Sequence, residues 1–176
     1  MGSQQDRRLI RAVLDTGPLL HFHEAGLDYL LGHLVAGFCP QIVADELENL
    51  APGVSDAHIV AGWLKVKQLT EAACQQSRDW QRFGLLDRGE ADALALAQES
   101  KVGCLLTDDA AARLIASSLG LVVRGSLGLV LEAGRLGMLS HQESRDALRA
   151  LRGSSLWLSE RVYAEALRLL GEMQLP

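Results

Sequence analysis

One feature narrows the folds open to this chain more than any other: short apolar runs of strand type, each closed by an acid or a turn residue, alternate with longer segments of helical spacing. Ala12-Val13-Leu14 ends at Asp15 and leads into Thr16-Gly17-Pro18, where proline suits a first helical turn and Thr16 a cap. Leu19, Leu20 and Phe22, then Leu27, Leu30, Leu31 and Leu34, recur at helical spacing around Gly26, which predicts two short helices before Gly37. Phe38-Cys39 reads as a second strand ended by Pro40, and Ile42 to Leu50 as a helix whose exposed edge carries Asp45, Glu46 and Glu48. Val102 to Leu106 reads as a buried strand, Asp109 to Leu119 as helix, Leu121 to Val123 as strand and Ser126 to Leu136 as helix. Strands that alternate with helices pair in parallel through right-handed crossovers. The expected fold is therefore α/β, a three-layer α/β/α sandwich around a central parallel sheet.

The intervening segments carry weaker signals. Ala51-Pro52-Gly53 starts a loop, Asp56 is expected to cap a helix reaching Gly62, and a strand is expected near Leu64 to Gln68. No element is assigned between that strand and Asp87. From there Gly89-Glu90 leads into Ala91, Leu94, Ala95, Leu96 and Ala97, a strong helix former. Beyond Ser140 the pattern is wholly helical. Ser140-His141-Gln142-Glu143 reads as a capping box, and a last amphipathic helix starts at Ser159 with Val162, Tyr163, Ala166, Leu167, Leu169 and Leu170 on its apolar side. Trp157 and Leu158 are expected to staple that helix to the main body. The predicted organisation is an N-terminal tail over residues 1–9, an α/β domain over 10–139 and a C-terminal helical extension over 140–176 packed on it.

Hydrophobic residues make up 48% of the 176 positions, enough for one substantial core without staples, and aromatic residues are only 5%, which favours helices on a small sheet over a β-sandwich. A net charge of -5 argues against the broad basic surface of a protein that coats nucleic acid. Cys39, Cys74 and Cys104 are odd in number and include no C-x-x-C pair, so neither a disulfide framework nor a zinc site is indicated. With no apolar stretch of membrane-spanning length, the expectation is a cytoplasmic protein with reduced thiols and no membrane association.

The acids fall at the punctuation points: Asp15 after a strand, Glu46 in a helix, Glu90 opening another, Asp108-Asp109 after a second strand. In an alternating fold these strand ends and following helices meet along one edge of the sheet, so the acids can form a pocket. Crowded carboxylates call for protons or cations, and hard oxygen ligands suit Mg²⁺ or Mn²⁺. Metal-assisted phosphate chemistry is the implied class. Singly, each acid has an ordinary explanation as a helix cap, a first-turn charge or a solvated side chain.

Val13-Leu14-Asp15-Thr16-Gly17-Pro18-Leu19 and Val43-Ala44-Asp45-Glu46-Leu47 resemble the opening of PIN-domain proteins. Leu86 to Ala93, with Leu105-Leu106-Thr107-Asp108-Asp109 through Arg113, is similar to a prokaryotic subgroup of unassigned function related to VapC-type toxin nucleases. Gly125-Ser126-Leu127-Gly128 and Leu158-Ser159-Glu160 extend the resemblance over nearly the whole chain. The resemblance implies a catalytic and metal-binding quartet of Asp15, Glu46, Glu90 and Asp109, with Glu at 90 where many relatives have Asp. Asp109 is the favoured ligand of the adjacent pair and Asp108 its helper or substitute. Thr16 and Thr107 would orient the carboxylates from behind, and Arg88, Arg113 and Arg124 are candidates for holding substrate phosphates.

Carboxylate chemistry and resemblance together imply Mg²⁺- or Mn²⁺-dependent hydrolysis of RNA, as the toxin half of a toxin–antitoxin pair. A homodimer and a cognate antitoxin are the implied partners. The competing expectation is a catalytically inactive PIN-like module that binds RNA or protein. Other signals are set aside. Asp15-Thr16-Gly17 imitates an aspartic-protease triplet in a chain too helical for that fold. His21-x-His23 does not share a helix face. Gly125 to Gly128 lacks the ending of a phosphate loop, and Trp63, Trp80 and Trp157 read as packing residues.

Overall fold

The computed structural model describes residues 9–173, so the expected tail at 1–9 lies, apart from Leu9, outside the described residues. In chain order the elements are β1 (Ile10–Leu14), α1 (Thr16–Glu24), α2 (Asp28–Leu34), β2 (Val35–Pro40), α3 (Gln41–Leu50), α4 (Val54–Val60), β3 (Leu64–Lys67), α5 (Glu71–Arg82), α6 (Arg88–Glu99), β4 (Cys104–Leu106), α7 (Ala110–Ser118), β5 (Val122–Arg124), α8 (Ser126–Arg135), α9 (His141–Arg152) and α10 (Glu160–Glu172). All strand pairs are parallel, in the order β3-β2-β1-β4-β5. The α/β/α sandwich predicted from the alternation is the fold observed.

The central strands are covered on both faces, which explains their unbroken apolar character: Ala12, Val13, Leu14, Leu105 and Leu106 are fully buried. Helix α6 lies against β1, β2 and β4 and carries Ala91, Ala93, Leu94, Leu96 and Ala97 into the interior. One continuous core runs from Ala12 to Leu170 and so includes α9 and α10.

The strand order gives the molecule its functional edge. From β1 the chain proceeds outward through β2 and β3, then returns to build β4 and β5 on the other side of β1. The crossovers therefore diverge between β1 and β4, and their C-terminal ends form a crevice, the usual ligand position in such sheets. Asp15 follows β1 and Thr107 follows β4. The Asp15 N–H donates to the Leu106 carbonyl at 3.0 Å, locking the two strand ends together.

Several local expectations need correction. Asp15, not Thr16, caps α1, its side chain accepting from the Thr16 N–H. Strand β2 starts at Val35, earlier than Phe38, because parallel pairing with β1 begins at Ile10 with Val35. Helix α4 starts at Val54 after Gly53, whose φ of 82° needs glycine, and leaves Asp56 in its first turn instead of at its cap. Helix α5 had no assignment. Its buried positions are Ala73 and Ser77, and Trp80 is its one large apolar residue packed against the core, too few to mark a helical period.

At the C-terminus, Trp157 staples nothing, being 85% exposed, whereas Leu158 packs against the core as expected and Leu156 is buried beside it. Tyr163, Ala166 and Leu170 hold α10 to the body, whereas Val162 and Leu169 are exposed. Among the described residues no helix is long and apolar enough to cross a membrane.

Candidate active site

A groove of about 890 Å³ opens at the crevice between the ends of β1 and β4. Asp15, Glu46, Glu90, Asp108 and Asp109 all line it, together with Thr16, Arg113 and Arg124. Four separate segments deliver the acids: the end of β1, helix α3, the first turn of α6 and the turn after β4. Arg88 is not part of the lining. It stands exposed at the start of α6, near enough to Glu46 for its charge to favour that carboxylate.

Asp15 is the most enclosed of the acids. Its Oδ1 accepts from the Thr16 N–H at 2.7 Å and its Oδ2 from the Thr107 hydroxyl at 2.9 Å. Burial nevertheless pushes its carboxyl from 3.8 up to about 6, against those two hydrogen bonds and with help from the charges of Asp87 and Glu46. Thr107, fully buried, also accepts from the Asp109 N–H at 3.2 Å, so one hydroxyl ties together the backbone of one acid and the side chain of another. Thr16 donates its hydroxyl to Glu46 Oε2 at 2.6 Å. Both threonines thus hold carboxylates in place, through hydroxyls able to donate and accept together.

Glu90 belongs to a capping box. Asp87 caps α6 by accepting from the Glu90 N–H at 3.0 Å, and the Asp87 N–H donates back to Glu90 Oε2 at 2.9 Å. Burial raises the Glu90 carboxyl to about 7; its bond to the Asp87 N–H opposes this, and the charges of Asp87, Asp109 and Asp15 add to it. Glu46 is raised as well, chiefly by burial. Gly89 makes room for it: a Cβ there would stand 2.4 Å from Glu46 Oε2.

The adjacent pair divides its work. Asp109 caps α7, its Oδ1 accepting from the Ala112 N–H at 2.8 Å. Asp108 turns instead to α8 and α1. It accepts from the Ser126 N–H at 2.7 Å, the Ser126 hydroxyl at 2.6 Å and His21 Nδ1 at 2.8 Å. Burial pushes Asp108 up, but those bonds and the His21 charge outweigh it and hold the carboxyl below its ordinary range. Asp108 is a brace that joins three segments.

Asp87, His21 and Trp157 also line the groove, outside the expected site. Asp87 was recoverable, because Asp-x-x-Glu ahead of an apolar helix is a capping-box signature. His21 and Trp157, set aside as a histidine pair and a packing residue, owe their place in the groove to partners remote in sequence. His23, paired with Asp28 at 3.1 Å, lies apart from His21.

Six carboxylates and two arginines line the groove, an anionic excess that opposes phosphate binding unless cations offset it. Among the described residues no three His, Cys, Asp or Glu side chains already stand around one point as ligands. The donor chemistry still fits a hard divalent ion. Every candidate ligand is an oxygen, and Asp15, Glu46 and Glu90, raised chiefly by burial and further by neighbouring carboxylate charge, are acids whose ionised form a cation would favour. Comparison with curated proteins found no match. Residues 11–172 match the family described as DUF3368: PIN domain, a span that takes in the groove and both C-terminal helices. The chain belongs to the PIN-domain family.

Proposed function

We propose that this protein is a metal-dependent endoribonuclease that hydrolyses RNA phosphodiester bonds, acting as the toxin of a toxin–antitoxin pair. PIN domains are typically nucleases that use divalent ions. The observation that carries the reading is the gathering of acids from four segments into one groove at the sheet's switch point, with two carboxyls raised to about 6 and about 7. Within this reading, residues 10–139 form the nuclease body and the helices from 140 onward an extension that completes one groove wall. A homodimer in the cytoplasm, held in check by an antitoxin, is the accompanying proposal.

Asp15 and Asp109 would hold the ion, with Glu46 and Glu90 as further carboxylate donors of the same groove. Mg²⁺ or Mn²⁺, when bound, supplies Lewis acidity at the phosphate. Thr107 keeps Asp15 aimed by its hydrogen bond. Glu90, a half-buried acid of the groove, would accept a proton from the attacking water. Arg113, itself fixed by donating to the Thr107 carbonyl at 3.2 Å, and Arg124 contribute positive charge for substrate phosphates. Asp108, bound to His21 and Ser126, keeps the loop after β4 rigid.

The test is cleavage of varied RNAs with Mg²⁺ or Mn²⁺, abolished in Asp15→Asn and Asp109→Asn. Inertness of the purified chain on all of them overturns the proposal. A second reading, a catalytically inactive module that binds RNA or protein, draws support from the local hydrogen bonds already made by Glu46, Glu90 and Asp109. It requires that Mn²⁺ leave the melting temperature unchanged, whereas the nuclease reading requires a rise.

A further inference from the structure

We propose that Trp157 is a stacking platform for an unpaired base of the nucleic-acid strand, a positioning role that rests on the nuclease reading. Trp157 is 85% exposed, yet it lies on the wall of the same groove as Asp15, Glu90 and Asp109. Its loop is fixed. Leu156 on one side is buried, the Ser155 N–H donates to Glu24 Oε2 at 2.7 Å, and the Ser154 hydroxyl donates to the Leu151 carbonyl at 2.6 Å. Ser159 then caps α10, and Arg152 of α9 pairs with Glu160 and lies 4.6 Å from the Tyr163 ring centre. An indole exposed on a braced loop offers an accessible face whose ordering costs little entropy on binding.

The groove also explains which ligand the indole would meet. Arg113 and Arg124 share the groove lining with Trp157 and the apolar Leu127 and Val162. That combination, cations for phosphates beside an aromatic face for a base, is the pairing that single-strand binders use. A base within a duplex already has both faces stacked, so the platform favours unpaired segments.

The test uses the full chain carrying Asp15→Asn to stop cleavage, with and without Trp157→Ala or Trp157→Phe. Binding of a labelled oligouridylate about eight nucleotides long is read by fluorescence anisotropy with Mg²⁺ present. Trp157→Ala should weaken it about ten- to a hundredfold, and Trp157→Phe far less. A matching abasic strand should bind all three alike, and melting temperatures should not differ, because the indole is exposed. Equal oligouridylate affinity in the Trp157→Ala and parent proteins overturns the assignment, including the case where the indole seats a partner protein. Cleavage by the unsubstituted chain reports separately: RNA uncut but affinity dependent on Trp157 defeats only the nuclease reading, and RNA cut with affinity indifferent to Trp157 defeats only the stacking role.

Discussion

Asp15 is asked to be both buried and charged. Raising its carboxyl from 3.8 to about 6 means the folded chain gives up that proton less readily than the unfolded one. Below about pH 4 both states are protonated and nothing is lost; as pH rises towards 6 stability falls, by an upper bound of about 3 kcal/mol, and then levels off. Glu90 carries the same sign and extends the window to about pH 7. Carboxyls held low, Asp108 among them, act with the opposite sign only up to their ordinary range, so the metal-free protein should melt at progressively lower temperature from about pH 5 to 7. Asp15→Asn should raise the melting temperature at neutral pH, by roughly 1–3 kcal/mol of stability, while abolishing cleavage. A lower melting temperature in that variant would show that the charge is compensated within the fold. The adjacent acids should separate in the opposite way. Asp109→Asn keeps a good N-cap and should lose cleavage with little change in stability. Asp108→Asn breaks a three-donor arrangement and should cost about 1–3 kcal/mol, read by urea titration, with cleavage retained in the folded fraction.

At the level of elements, α6 does most to shape the groove. Its first turn holds Asp87 and Glu90 in a reciprocal cap, and Gly89 leaves the space that Glu46 from α3 occupies. Alanine at a helical position is ordinarily more favourable than glycine by about 1 kcal/mol, and the neighbour displaced here is the end of a flexible side chain. Gly89→Ala should accordingly keep or slightly raise stability but push the Glu46 carboxylate aside. Cleavage should fall about tenfold or more and Mn²⁺ should raise the melting temperature less than in the parent. An unchanged Mn²⁺ response would remove Glu46 from the ion's surroundings. The same element shows what the amino-acid order reveals. The alanine and leucine period of α6 is plain, whereas α5, which meets it through the Ser77 hydroxyl on Asp92 at 2.5 Å, has Trp80 as its single large apolar residue on the core and so shows no period.

Over the whole molecule, the C-terminal helices are part of the core and of the groove. Leu170 is fully buried, and Trp157 and Val162 help line the groove. Leu170→Ala should destabilise the entire chain by about 2–5 kcal/mol in a single cooperative transition. A separate, earlier transition confined to part of the signal would identify α9 and α10 as an independent unit. The parallel order that places β1 between β2 and β4 also explains why acids from both halves of the chain share one crevice.

Local order and local chemistry are written along the chain. The alternation of strands with helices, the acids at strand ends and helix starts, and the caps at Ser140 and Ser159 all follow from interactions within a few residues. Direction across space is not written there. Whether Asp108 or Asp109 turns towards Ser126 depends on a partner 18 residues away, and His21 joins Asp108 across 87. Trp157 is indistinguishable from a core tryptophan until Leu156 takes the buried place beside it. Such outcomes are set by competition among side chains for the same space and the same hydrogen-bond donors, which exists only once the chain has folded.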